Sequence, residues 1–423
     1  MGERSNYRYF VLATLTVGGV LNIADRLILS ILLEDIKHAF TLTDTQIGLI
    51  TGLAFTALYI TFGIPIAWLA DRTNRRTIIA LSIATWSLMT ALCGAATGFW
   101  TLFLARMGVG IGESGSGPAA SSLLTDYFRK DELGRAMGFY FLGPTIGTAS
   151  GLMVGGYLAH LLGWRMAFMM LGIPGILFAL FVFLTIKEPT GCEKRTPPPP
   201  TENFASGLRV WRAGIASLLG NRLYMAATLA FACMIVIGYG FATWLAAIML
   251  RNFAVSTADV GFTLGLAFLL GGIPGPILGG YITDALVRRD TRWRAWLPAL
   301  ATLACLPIFL ACLLSKSLVV FLGLFSLGYL VFLIAQAPTV SLIQLSVRPD
   351  ERAMAMAVAM LFNNLIGQAL GGFLIGLAST GLGPALGTHA LGTAVIAVSA
   401  AFGLPAVLFY LHAARSIEPS PSK

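Results

Sequence analysis

Apolar residues fill this chain in blocks of about twenty or more, separated by short polar loops rich in arginine. A helix that crosses a bilayer needs about 20 mostly apolar residues, and twelve such blocks can be marked. The first six run over 7–33, 45–69, 77–97, 99–124, 136–161 and 166–186. The second six run over 223–250, 258–286, 296–314, 317–340, 354–377 and 390–412. Between the two sets lies the longest polar stretch, 187–220, whose Pro197 to Pro200 read as a semi-rigid spacer. The pattern predicts an all-α integral membrane protein. It divides into an amino-terminal six-helix bundle over 1–186, a cytoplasmic linker over 187–220, a carboxy-terminal six-helix bundle over 221–415 and a cytoplasmic tail over 416–423. The first block is not a cleaved signal peptide: it is too long, and Asp25 and Arg26 interrupt it without a small-residue cleavage site.

The two sets of six repeat one plan. Ala67-Trp-Leu-Ala-Asp71 after the second block resembles Gly280-Tyr-Ile-Thr-Asp284 after the eighth, each followed by arginines. Asp131-Glu-Leu-Gly-Arg135-Ala-Met before the fifth resembles Asp350-Glu-Arg352-Ala-Met before the eleventh. An even number of passes inserts both copies in the same orientation, and two parallel repeats that rock about a shared site are transporter architecture.

Composition closes off the other classes. Hydrophobic residues make up 57% of the 423 and charged residues only 11%, where a soluble protein carries about a quarter charged. The net charge of +9 would suggest nucleic acid in a soluble chain. In one this apolar it marks the cytoplasmic side of a membrane protein. Of the 28 Lys and Arg, Lys37, Arg165, Arg251 and Lys316 fall on one side and Arg26 and Arg106 inside blocks; the rest lie on the side of both termini. That bias predicts a multi-pass protein of the cell (inner) membrane with both ends cytoplasmic, and no nucleic-acid partner. Cys93, Cys233, Cys305 and Cys312 lie in apolar blocks and Cys192 in the linker, without a CxxC pair, so they read as packing residues.

Ionisable residues deep in an apolar block are costly and point to function. There are four, all in the first half: Asp25 and Arg26 in the first block, Arg106 and Glu113 in the fourth. Arg106 and Glu113 stand about two helical turns apart, on one face. Apolar surroundings and neighbouring guanidinium groups pull such a carboxylate in opposite senses, so its protonation can change as a cavity switches sides. We read Asp25 and Glu113 as proton carriers, Arg26 as the leading contact for an anionic headgroup and Arg106 as its orienting partner, also at the substrate. The second half offers neutral polar groups instead, of which Gln336, Asn363 and Asn364 are substrate-binding candidates. Asp71, Arg72, Arg75, Arg135, Asp284 and Arg352 fall at the cytoplasmic mouth and form a candidate gate, with Asp71 placed to face a helix N-terminus of the other half.

Glycines recur every fourth residue at Gly147, Gly151 and Gly155, and at Gly271, Gly275 and Gly279, a spacing that lets helices pack closely. Gly110-Ile-Gly112-Glu-Ser-Gly115 fits GxGxxG but lies inside an apolar block with no preceding strand, so a dinucleotide site is discounted. No Walker A or HExxH sequence occurs, and His38, His160, His389 and His412 all fall near block ends. Enzyme, metal and cofactor chemistry therefore find no candidates. Phe321, Phe325 and Phe332 of the tenth block read as lining an apolar portal or facing lipid, which leans toward an amphiphilic substrate.

The residues also carry a family resemblance. Asp71-Arg-Thr-Asn-Arg75-Arg resembles the loop signature of the major facilitator superfamily, and Gly143-Pro144 its fifth-helix glycine-proline motif, with Ala67 and Asn74 standing where the general signature has glycine. Asn74, Leu21-Asn22-Ile-Ala-Asp25-Arg26, Arg106-Met-Gly-Val-Gly110-Ile-Gly112-Glu113, Trp86-Ser87 and Thr43-Asp44 are similar to the spinster lipid-transporter group within it, with Ile23 in place of a tyrosine. The resemblance implies the twelve-helix fold of that superfamily, and a monomer among membrane lipids. It implies movement of a lysophospholipid or sphingoid-phosphate-like anion, with proton coupling at Asp25 and Glu113. The organic-anion symporters of the same superfamily share the Asp-Arg pair and the glutamate, which leaves proton-coupled uptake of a sugar acid as the alternative.

Overall fold

The computed structural model describes residues 2–129, 132–189, 214–348 and 351–417, without the side chains of 2–5, 64, 67, 68, 71, 72 and 353. The proline spacer 197–200, Cys192, Asp131, Asp350 and the tail from 418 lie outside the described residues, as do the side chains of Asp71 and Arg72.

The described residues are mainly helical, and no strand occurs among them. The first half contains α1 (Gly2–Ile31), α2 (Leu33–Phe40), α3 (Asp44–Gly48), a π-helical turn Leu49–Ala54, α4 (Phe55–Arg72), α5 (Arg75–Gly94), α6 (Phe99–Tyr127) and α7 (Leu133–Thr185). The second contains α8 (Arg222–Asn252), α9 (Thr257–Gly272), α10 (Pro274–Val287), α11 (Trp293–Leu314), α12 (Leu318–Ile334) and α13 (Gln336–Leu345). It ends with α14 (Arg352–Phe362), a second π-helical turn Asn363–Ala369, α15 (Leu370–Leu386) and α16 (Ala390–Arg415). Among the described residues, nine helical segments are long and apolar enough to cross a membrane. Two of them hold two passes each. Leu133–Thr185 breaks at Gly163, where φ is 79°, and Met354–Arg415 breaks at Gly387, where φ is 53°. Only glycine adopts that conformation without strain. With α6, whose Arg106 and Glu113 dilute its apolar character, the passes number the twelve expected.

Boundaries move where helices extend past the apolar layer. The tenth pass continues through α13 to Leu345 rather than ending at 340, and the eleventh reaches Leu386 rather than 377. Helix hydrogen bonding continues there through segments of mixed small, polar and apolar residues.

The described residues form two compact units. One comprises the chain up to 189 together with Thr243–Leu266; the other comprises 214 to Ala242 and everything from Ala267 onward. The end of α8 and the start of α9 thus belong with the first-half helices. Glycine explains part of this: a Cβ on Gly261 would meet the backbone of Leu152 and Gly156. The expected glycine row of α7 has a packing role, since a Cβ on Gly147 would meet Val20 and one on Gly151 would lie 2.6 Å from Cα of Ala24. It holds α7 against α1 one residue from Asp25.

Phe321, Phe325 and Phe332 are corrected by the structure. They neither face lipid nor line a portal. Phe325 is 1% exposed, its ring stacked with Phe241 at 5.8 Å and edge-on to Phe268 at 5.1 Å, and Phe321 and Phe332 are buried. Mutual burial of large rings is a stronger sink than lipid contact, because interdigitated aromatics also gain directional ring packing. The exposed apolar surface comes instead from residues such as Phe139, Phe141, Leu177 and Val319.

Candidate functional site

The four buried charges of the first half come together. α1 carries Asp25 and Arg26, and α6 carries Arg106 and Glu113; all lie in the first unit. Close packing of α6 sets their depth: a Cβ on Gly110 would meet the backbone of Phe55, and one on Gly112 the backbone of Trp86. The glycines of the GxGxxG match therefore pack α6 against its neighbours.

Glu113 is paired across the bundle with Arg26. The Arg26 Nε donates to Glu113 Oε2 at 3.1 Å, and its Nη2 donates to the same oxygen. Arg26 is partly buried, its side chain 15% exposed, and the Glu113 side chain is wholly covered. The other carboxylate oxygen, Oε1, is buried and makes no hydrogen bond to the protein. Asp25 is held differently. Its Oδ2 accepts a 2.7 Å hydrogen bond from the Thr90 hydroxyl of α5, itself fully buried. Arg106, 1% exposed, is the leading opposite charge acting on Asp25. Its Nε and Nη1 make no hydrogen bond to the protein.

Phe55 joins the two arginines. The Arg26 guanidinium carbon sits 4.5 Å from the Phe55 ring centroid and that of Arg106 5.8 Å from it. Tyr59, stacked on Phe55 at 5.4 Å, extends the surface under Arg26. Phe55 follows directly on the π-helical turn Leu49–Ala54, a feature common at functional sites because it re-aims a side chain without ending the helix. Neither Phe55 nor Thr90 was singled out by the sequence, since an aromatic and a threonine within apolar blocks are unremarkable there.

Chemically, the site is a compact set of two carboxylates and two guanidinium groups in an apolar bundle. A proton added to Glu113 removes the charge that binds Arg26, and a freed guanidinium presents a planar fork of donors to a carboxylate or phosphate. Glu113 also lines a cavity of about 130 Å³ inside the first unit, together with Asn22, Tyr59, Ser116 and Tyr140.

The other candidates lie elsewhere. Asn363 and Asn364 occupy the π-helical turn of the second unit, with Asn363 Oδ1 buried and without a hydrogen bond to the protein. Gln336 opens α13, half-buried, in the same unit. Of the gate candidates, Arg75 is committed inside the first unit: its Nε meets Glu188 at 2.7 Å and its Nη1 meets Asp126 at 2.5 Å. Arg135 and Asp284 are exposed, and the exposed Arg352 donates from Nε to the Gln344 carbonyl at 3.1 Å. Asn74 caps α5 by accepting from the Thr77 N–H at 3.3 Å, which gives a physical reason for an asparagine in place of glycine.

One charge cluster was missed. Arg251, from the end of α8, reaches Glu34 at 2.6 Å and Asp44 at 2.9 Å, and Lys37 meets Asp44 at 2.6 Å. The signal was present: Lys37 and Arg251 are two of the four basic residues placed against the charge bias.

Comparison with known proteins agrees with this architecture. Residues 15–372 match the Major Facilitator Superfamily. An MFS-type efflux pump of Mycolicibacterium smegmatis is 32% identical over 402 residues, covering 95% of this chain and 91% of that protein. The probable galactarate/D-glucarate transporter GudP of Bacillus subtilis is 29% identical, covering 75% of this chain and 72% of its own. The crystal structure of a bacterial homologue of the human lysosomal transporter spinster superposes with a TM-score of 0.84 at 28% identity, covering 97% of both chains. The chain thus belongs to the Major Facilitator Superfamily, as a membrane-spanning transporter of spinster-like fold rather than an enzyme.

Proposed function

We propose that this transporter moves an amphiphilic anion, a lysophospholipid or sphingoid-phosphate-like lipid, by proton-coupled alternating access. The observation that carries the reading is the buried Arg26–Glu113 pair beside Asp25 and Arg106 in an otherwise apolar bundle. Such a group is expensive to bury and is retained where its charge state changes in use. Glu113 and Asp25 take up protons. Protonation of Glu113 releases Arg26 toward the anionic headgroup, with Arg106 holding the network in place through Asp25. Gln336, Asn363 and Asn364 supply neutral hydrogen bonds from the second unit.

The remaining roles belong to the same proposal. Asp71, Arg72, Arg75, Arg135, Asp284 and Arg352 gate the cytoplasmic mouth, and Arg75 does so as a staple of its own bundle. The chain is a monomer of the inner membrane with both termini cytoplasmic, built as a bundle over 1–186, a linker over 187–220 and a bundle over 221–415. The resemblance of Asn74, Asp25-Arg26 and Glu113 to the spinster lipid-transporter group supports the lipid reading, and the structural comparison is with a spinster homologue. The loss of Phe321, Phe325 and Phe332 as portal residues removes one argument for it.

A second reading, proton-coupled symport of a sugar acid, is favoured by the similarity to GudP. A thermal-shift screen of purified protein separates the two. The lipid reading expects stabilisation by lysophospholipids and none by galactarate or galactonate; stabilisation by the sugar acids alone overturns it.

A further inference from the structure

The cavity beside Glu113 has a direction. It follows α1 from Ile23 back to Thr14, α6 from Glu113 to Ala120 and α5 from Trp86 to Ile79. Nine residues of helix separate Thr14 from Ile23, so it spans about 13 Å. Each of those helices runs on from there toward one end of the unit, where Arg75 pairs with Asp126 and Glu188. Every residue lining the cavity belongs to the first unit.

Its deep end holds two buried polar atoms with no hydrogen bond to the protein, the acceptor Oε1 of Glu113 and the donor Nδ2 of Asn22. Leaving such atoms bare costs roughly 1–3 kcal/mol each. Water can satisfy both, and a cavity of about 130 Å³ has room for more than one water molecule. Thr14, Ser116, Tyr59 and Tyr140 also line the cavity, among mainly apolar neighbours such as Ile79, Ile83 and Val182.

We propose that this cavity is a water-filled proton route, joining Glu113 to the aqueous side at the Arg75 end through the interior of the first unit alone. The inference rests on the reading of Glu113 as a proton carrier. The charged and titratable groups around it are Arg26 and Asp25 from α1, Arg106 from α6 itself, Cys93 from α5, Tyr59 from α4 and Tyr140 from α7. A separate route lets Glu113 release its proton while the anion still occupies Arg26, so substrate does not block the path.

Two glycines allow a plug. A Cβ on Gly117 meets nothing within 4 Å, and one on Gly18 meets only Phe178 at 3.6 Å and Ile83 at 4.0 Å, so Gly117→Leu and Gly18→Val fill the cavity without a backbone clash. Infrared difference spectra of the full chain in lipid follow the Glu113 carboxyl band, identified by its loss in Glu113→Gln. After a pH jump the band should rise at least about tenfold more slowly in either plugged variant, with its midpoint kept. A rise as fast as in the unaltered protein overturns the route while leaving Glu113 a proton carrier. No pH-dependent band in the unaltered protein overturns that reading and the route with it. A measurement without variants covers misfolding of both: radiolytic hydroxyl labelling should oxidise Trp86, which lines the cavity at 2% exposure, and spare Trp244, which is fully buried away from it. Equal protection of the two tryptophans overturns the proposal.

Discussion

Phe55 lies under both buried guanidinium groups, 4.5 Å from Arg26 and 5.8 Å from Arg106. Cation–π attraction is worth about 0.5–2 kcal/mol per contact, more when water is excluded. Phe55→Leu keeps most of the volume and removes the ring. It should lower the thermal midpoint by a few degrees and raise the substrate KM several-fold, whereas Phe55→Tyr should restore both; an unchanged KM in Phe55→Leu contradicts a role for the ring in holding Arg26. Thr90→Val deletes the 2.7 Å hydrogen bond to Asp25, and such a bond contributes about 0.5–1.5 kcal/mol net. Gradient-driven transport should fall about tenfold while substrate exchange at equal pH on both sides holds. At this scale the sequence was legible wherever a charge sat in an apolar block, because charge in oil is conspicuous. Asp25, Arg26, Arg106 and Glu113 were found that way. The pairing was not legible: the common face of Arg106 and Glu113 said nothing of Arg26 reaching Glu113 from 87 residues away. That contact depends on how α1 packs against α6.

Among the helices, the turn from α1 through α2 to α3 is fastened to the end of α8 by ion pairs. Arg251 is only 18% exposed and holds both Glu34 and Asp44. Arg251→Gln leaves those two carboxylates facing each other in partial burial, which should cost about 1–3 kcal/mol and lower the thermal midpoint by several degrees. Adding Glu34→Gln should recover part of the loss, as one uncompensated charge is then gone; no recovery contradicts the pairing. Asp35, on α2 and outside the membrane passes, responds to pH in the opposite sense to most carboxylates. Burial and the neighbouring Glu34 push its carboxyl above the ordinary range, against the opposing His38. Folding therefore favours its protonated form, and stability is lost as pH rises through that raised value. Asp35→Asn should raise the thermal midpoint at neutral pH and match the unaltered protein below about pH 4; a lowered midpoint at neutral pH contradicts this. Arg165 shows the other use of a basic residue on that side, with Nη1 donating to the Gly94 carbonyl at 3.1 Å at the end of α5. Hydropathy located the helices, but it did not distinguish an apolar face turned to lipid from one turned inward. For that reason Phe321, Phe325 and Phe332 were misplaced, and three-dimensional packing alone reassigns them.

For the whole molecule, twelve apolar blocks, a repeated loop plan and a bias of arginines were enough to read a transporter fold, because the bilayer permits so few solutions. Substrate identity was not legible to the same degree. Related proteins carry different names, and selectivity resides in cavity shape, which no short motif encodes. Coupled transport requires that the buried charges of the first unit exchange protons in step with substrate. The direct measurement is proton flux into liposomes loaded with a pH-sensitive dye and reconstituted with the purified chain, on addition of lysophospholipid. Proton coupling at these residues gives a substrate-dependent pH change that Glu113→Gln and Asp25→Asn both abolish, while substrate exchange survives. An equal pH change in the unaltered protein and in both variants would contradict it.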